Sequence, residues 1–231
     1  MWLALVGTFL PDLVTASCRA AVCFSGHARS FMHPHVRGYM KKRLIERLEC
    51  QIVDVFFYLT LEESRGTDQR RAWDNFTQQP TITAEEVRAA TLEFNPVTVV
   101  LHDGGTALFP HACGEDSVPL SAFSQLYKMA ACFSLVESAE TVANYSPSKR
   151  RRYDWIIRMR PDLAWVGSLA PLDSFRRDRV FLPVHFWPVG DMFALVPRQL
   201  ARTYFRAIDS FYTCKTMCAE ISTWYLPHVR A

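Results

Sequence analysis

Short apolar runs alternate with stretches of helical periodicity along this chain, and that alternation restricts its fold more than any other feature. Ala20 to Phe24 is an apolar run that ends at Ser25-Gly26, the pattern of a buried strand entering a turn. Val36 to Leu48 carries apolar residues at 36, 40, 44, 45 and 48 among basic ones, an amphipathic helix. Ile52 to Leu61 is rich in β-branched and aromatic residues, which suit a second strand. Thr83 and Glu86 have the spacing of a capping box, opening a helix to about Leu92. Val97 to Leu101 is a third strand, stopped by Asp103-Gly104-Gly105. Ala122, Leu126, Met129, Phe133 and Val136 then mark one face of a long helix reaching about Ala143. Tyr153 to Met159, Arg179 to Pro183 and Met192 to Val196 complete the expected strands. Pro197 opens a last helix carrying Leu200, Tyr204, Ile208 and Phe211. Such alternation predicts an α/β fold, a mainly parallel sheet flanked by helices on both faces.

The length of 231 residues suits one large domain, or a domain plus a small appendage, with a substantial core, and 49% hydrophobic against 21% charged residues is ordinary for a folded chain rather than a disordered one. A formal charge of +3 is too small for a nucleic-acid-binding domain. The densest basic run, Lys149 to Arg152, follows Ser146, Pro147 and Ser148 and reads as a solvated loop. Trp2 to Leu10 is apolar and is followed by small residues near Ala16 and Ser17. Residues 1–18 therefore read as a signal segment, with the mature chain beginning between Ala16 and Ala21 and one domain over 19–231. Against a signal stand the lack of Lys or Arg before the run and its interruption by Pro11 and Asp12. No later stretch has the length of a membrane span. The expected location is the secretory pathway, in the Golgi or ER lumen or outside the cell, and Asn75-Phe76-Thr77 has the form of a glycosylation acceptor. The 7 cysteines permit disulfides in that setting. Cys23 in an apolar strand and Cys132 in an apolar helix read as buried free thiols, and Cys214 with Cys218 lacks the remaining ligands of a zinc site.

In a parallel sheet ligands bind beyond the carboxyl ends of the strands, which selects the residues to weigh. Ser25-Gly26-His27-Ala28-Arg29 follows the first strand. Its glycine lets backbone amides approach an anion and Arg29 can reach a phosphate, although an ordinary strand-to-helix turn has the same form. In Tyr153-Asp154-Trp155-Ile156-Ile157-Arg158-Met159-Arg160-Pro161-Asp162, Arg158 and Arg160 share one face. Two guanidinium groups on a buried strand demand anionic partners. A nucleotide diphosphate would serve, and so would an internal Arg–Asp network bracing the sheet.

Several of these stretches, in this order, resemble a glycosyltransferase-like family known mostly from predicted proteins of algae, plants, other protists and bacteria. They are Val22 to Phe31 (VCFSGHARSF), Asp54 to Leu59 (DVFFYL), Gln125-Leu126-Tyr127-Lys128 and the Arg-x-Arg-Pro-Asp segment ending at Asp162. Gly190 to Arg198 and Cys218-Ala219-Glu220 before Trp224-Tyr225-Leu226 extend the likeness, so that it covers about Ala20 to Leu226. The resemblance implies a single GT-A-like domain that uses a nucleotide-sugar donor and a glycan or glycoprotein acceptor. Carried over by position, it places Gly26, Arg29, Gln125 and Lys128 in the donor pocket. Arg158 and Arg160 would lie on the diphosphate, and Asp162 on a sugar or on Mn2+ or Mg2+. Asp191 and Glu220 are the candidate acceptor-side bases, with helix-terminal acids as the alternative reading of both. Gln125 and Lys128 likewise suit a solvated helix face. Two departures stand out. Arg160 occupies the position that would complete an Asp-x-Asp motif, and Ala219 stands where the family often has proline. The chain also stops soon after Glu220, so a truncated C-terminus is expected. A sugar transferase is thus expected, and a catalytically silent nucleotide- or glycan-binding module of the same fold is the alternative. A third possibility, a secreted structural protein, requires the two arginines to be satisfied internally.

Overall fold

The structure, a computed structural model, describes residues 18–61, 82–102, 120–144, 152–163, 167–183 and 192–213. A 5-stranded sheet has the order β3-β2-β1-β4-β5. It is formed by β1 (Arg19–His27), β2 (Ile52–Thr60), β3 (Thr98–His102), β4 (Trp155–Met159) and β5 (Phe193–Pro197). β1 pairs in parallel with both β2 and β4, and β2 pairs in parallel with β3, while β5 runs antiparallel to β4. The helices are α1 (Pro34–Arg43), α2 (Ala84–Thr91), α3 (Leu120–Asn144), α4 (Arg198–Phe205) and α5 (Ile208–Thr213). The α/β class and the mostly parallel sheet are as the sequence alternation predicts.

Each sheet face has its own core, because alternate residues of a strand point to opposite sides. Ala20, Val22 and Phe24 of β1, Val55, Phe57 and Leu59 of β2, and Trp155, Ile157 and Met159 of β4 face one way. They bury Phe31, Met40 from α1 and Val87 from α2. Phe24 stacks on Phe57 at 4.7 Å between ring centroids and meets Phe94 edge-on at 5.5 Å. Each such pair adds about 0.5–1.5 kcal/mol beyond its buried area. On the opposite face Ala21, Cys23, Phe56, Tyr58, Ile156 and Ala194 pack against Met129, Cys132, Phe133 and Val136 of α3 and Phe205 of α4. The expected capping box is present: Glu86 N–H donates to Thr83 Oγ1 at 3.2 Å, and Thr83 N–H donates to Glu86 Oε2 at 2.9 Å.

Four sequence expectations change. Arg179 to Pro183 forms no strand. Phe181 alone bridges Leu195, with N–H to O distances of 3.0 and 2.9 Å, as the remainder lacks a paired partner. The helix expected over Val36 to Leu48 ends at Arg43, and a tighter 3-10 turn over Ile45–Arg47 carries Leu48 into the core. The last helix is broken between α4 and α5, which lets Ile208 pack on Phe123 and Ala130 instead of continuing the face of Phe205. Finally, Cys23 and Cys132 are not free thiols. Strand alternation turns Cys23 toward α3, and the two residues, Cα atoms 6.1 Å apart, form a disulfide. A second disulfide joins Cys18 to Cys50 across 4.8 Å between Cα atoms. Cys113, Cys214, Cys218 and Asn75 lie outside the described residues.

At the amino edge of the sheet the charges are paired. Asp154 accepts from the Arg19 backbone N–H at 2.8 Å and from Arg177 at 3.1 Å, and Tyr153 donates its hydroxyl to Asp54 at 2.6 Å. Glu140 of α3 accepts from the Tyr153 N–H at 3.1 Å and from the Arg198 guanidinium at 2.9 and 2.6 Å. This edge is a brace between strands and α3, and it fixes the direction of the helix: its second half lies at the amino edge, so its first half reaches the carboxyl edge.

Candidate functional site

The strand order creates a switch point. From β1 the chain steps outward through β2 to β3, then returns over α3 to β4 on the other side of β1. The turns that follow β1 and β4 therefore leave the sheet in opposite directions, and the gap between them is where open α/β sheets hold ligands. Gly26 and Pro161 close the base of this gap. Gly26 has φ 152°, and a Cβ there would lie 2.9 Å from Pro161 Cδ, so only glycine lets the two turns meet. Ser30 Oγ adds a hydrogen bond to the Asp162 carbonyl at 3.3 Å.

Cys23 stands opposite Arg158 in the β1–β4 register, so Ser25 and His27 continue the same face toward α3, as Arg160 does beyond Arg158. Arg158 is flanked by two small residues, Cys23 on β1 and Ala194 on β5, and is 1% exposed. Among the described residues nothing reaches its Nε or Nη2, and the buried Ser25 Oγ also lacks a partner. Buried guanidinium nitrogens without acceptors are costly, and the cost is removed by an anion.

Arg160 is in a different situation. Its Nε and Nη2 donate to the two carboxylate oxygens of Asp162 at 2.8 and 2.5 Å, a bidentate pair. Burial alone would push the Asp162 carboxyl up, but the Arg160 hydrogen bonds and charge, with Arg29 behind them, hold it below the ordinary value. The paired arginines of the sequence thus divide: one braces the turn, and one has donors to spare.

From α3, Lys128 enters the gap with only 6% exposure, which removes it from the solvated face that its spacing also allowed. Its ammonium is 3.3 Å from His27 Nε2, and His27 Nδ1 is 2.8 Å from Thr60 Oγ1, which donates in turn to the Gly26 carbonyl at 3.4 Å. The chain of contacts assigns the Nδ1–H tautomer, with Nε2 accepting from lysine. Burial, with the nearby charges of Arg29 and Arg160, brings the Lys128 amine down to about 8. Gln125, one turn earlier, is half-buried, as is Arg29 at the start of a short 3-10 helix.

The described positions expected in a donor pocket, Gly26, Arg29, Gln125, Lys128, Arg158, Arg160 and Asp162, all belong to this edge. Asp191 and Glu220, the expected acceptor-side bases, lie outside the described residues. His27, Ser25 and Thr60 were not singled out individually. His27 carried a signal, since it continues the alternation of Cys23 and Ser25, while Thr60 comes from a strand end whose position only the register reveals. A divalent ion does not fit the described residues. Both Asp162 oxygens are taken by Arg160, and no group of three His, Cys, Asp or Glu side chains converges among them. No helix among the described residues is long and apolar enough to cross a membrane.

Neither a family model nor a curated protein matches the chain.

Proposed function

We propose that the chain is a GT-A-like glycosyltransferase of the secretory pathway that binds a nucleotide-sugar donor at the switch point and transfers the sugar to a glycan or glycoprotein. The observation that carries this reading is Arg158: a guanidinium 1% exposed, at the carboxyl end of β4, with Nε and Nη2 unpartnered among the described residues. A donor diphosphate would supply the missing acceptors, and the same cations would stabilise the leaving diphosphate as the bond to the sugar breaks. Asp191 or Glu220 would take the proton of the acceptor hydroxyl. The engagement of Asp162 by Arg160 favours a second reading, a silent module that binds the nucleotide or a glycan without turnover.

A thermal-shift screen tests binding directly. Nucleoside diphosphates and their sugars, at a hundredfold their dissociation constants, should add about 2.7 kcal/mol of apparent stability. No shift with any of them contradicts the transferase and a nucleotide-binding module alike. Sugar transfer or donor hydrolysis by the ligand-binding protein separates the enzyme from the silent module.

A further inference from the structure

We infer that the crevice takes its nucleoside diphosphate without a divalent cation, the Lys128 ammonium supplying the charge such an ion would bring. The inference rests on the nucleotide reading above and specifies how that ligand is neutralised. A diphosphate brings at least two negative charges, and proteins that hold one through Mg2+ or Mn2+ provide carboxylates for the ion. Here the carboxylate at the crevice, Asp162, has both oxygens engaged by Arg160, and the described residues offer no converging ligand set.

What the crevice does offer is donors. Arg158 presents Nε and Nη2, Ser25 presents its hydroxyl, and Lys128 approaches from the facing helix. Arg158 and Ser25 sit on the sheet face that α3 covers, and Lys128 sits on α3 itself, so a ligand between them would be held from both sides. Lys128 is nearly buried, and its ammonium meets an imidazole nitrogen, His27 Nε2, at 3.3 Å, a weak partner for a cation. Its amine is lowered by burial and by repulsion from Arg29 and Arg160, which marks a crevice short of negative charge. A dianion relieves that repulsion. A divalent cation would add to it.

Calorimetric titration of the full chain with UDP and with GDP, once in EDTA and once with Mn2+, tests the inference. The better of the two nucleotides should bind in EDTA within about twofold of its affinity in Mn2+. Lys128→Met should weaken that binding at least about tenfold and Lys128→Arg should restore most of it, the Met variant melting no lower than the wild type. Binding that appears only with Mn2+ overturns the inference and leaves the nucleotide reading standing. Unchanged affinity in Lys128→Met overturns it as well. If neither nucleotide binds under either condition, the nucleotide reading itself fails and takes the inference with it.

Discussion

Arg158 and Arg160 lie two positions apart on one face, and the sequence makes them look equivalent. Their shared direction was legible from strand alternation, but their partners were not, because a local spacing says nothing about what fills the space opposite. With Asp162 only 12% exposed, Arg160→Met leaves a carboxylate with little solvent to compensate it. We expect this change to lower stability by up to about 3 kcal/mol in urea denaturation, the lower end of the cost of breaking a buried pair. Lys128 has a pH signature of its own. Its folded-state value, about 8, lies below that of the unfolded chain. Between about 8 and the ordinary lysine value near 10.4 the unfolded state binds more protons, so stability should rise with pH there. Lys128→Met removes that gain. Denaturation midpoints at pH 7.5 and 10 should therefore differ less in the variant than in the wild type.

Among the elements, those whose signals are local were read closely. The Thr83–Glu86 capping box fixed the start of α2, and the long periodic stretch fixed α3 almost to its ends. Elements set by distant partners were misjudged: the Phe181 bridge depends on Leu195, and the break before α5 depends on a contact of Ile208 with α3. The contact of Gly26 with Pro161 is of this long-range kind. Gly26→Ala would force a Cβ to within 2.9 Å of Pro161 Cδ at a positive φ. The expected cost is about 1–3 kcal/mol, read as a lowered denaturation midpoint. The disulfides were hidden for the same reason, since pairing is a property of the fold rather than of spacing. Peptide mapping without reduction should recover Cys18 linked to Cys50 and Cys23 linked to Cys132. Cleavage of a leader should then leave Cys18 on the mature chain; a mature end beyond Cys18 would contradict the first pairing.

Among the described residues the charges are paired at the amino edge of the sheet and mostly positive at the carboxyl edge. Asp54, Glu140 and Asp154 at the amino edge each have a donor, and their partners tie α3 and β5 to the strands. At the carboxyl edge Arg29 and Arg160 act on Asp162, and Lys128 and Arg158 add further positive charge. A formal charge of +3 gave no hint of this, because the excess lies in its placement and not in its total. The strand order that gathers these side chains was legible only as a class, a mainly parallel sheet. Which strands flank the switch point emerges from crossovers that no single motif encodes.

The central claim is that Arg158 is an anion-binding residue and not a brace, and one variant decides it. Calorimetric titration of wild type and Arg158→Met with the nucleoside diphosphate that stabilises the wild type most, paired with melting of both, makes the measurement. A buried guanidinium whose Nε and Nη2 have no partner among the described residues, and that binds the ligand, predicts affinity weakened by about 1.5–3 kcal/mol in Arg158→Met, the range for hydrogen bonds to charged groups. Stability without ligand should be unchanged or higher, since the variant buries no charge there. Loss of about 3–5 kcal/mol of stability in Arg158→Met, with no nucleotide bound by the wild type, would show a buried ion pair in place of a ligand site and contradict the account.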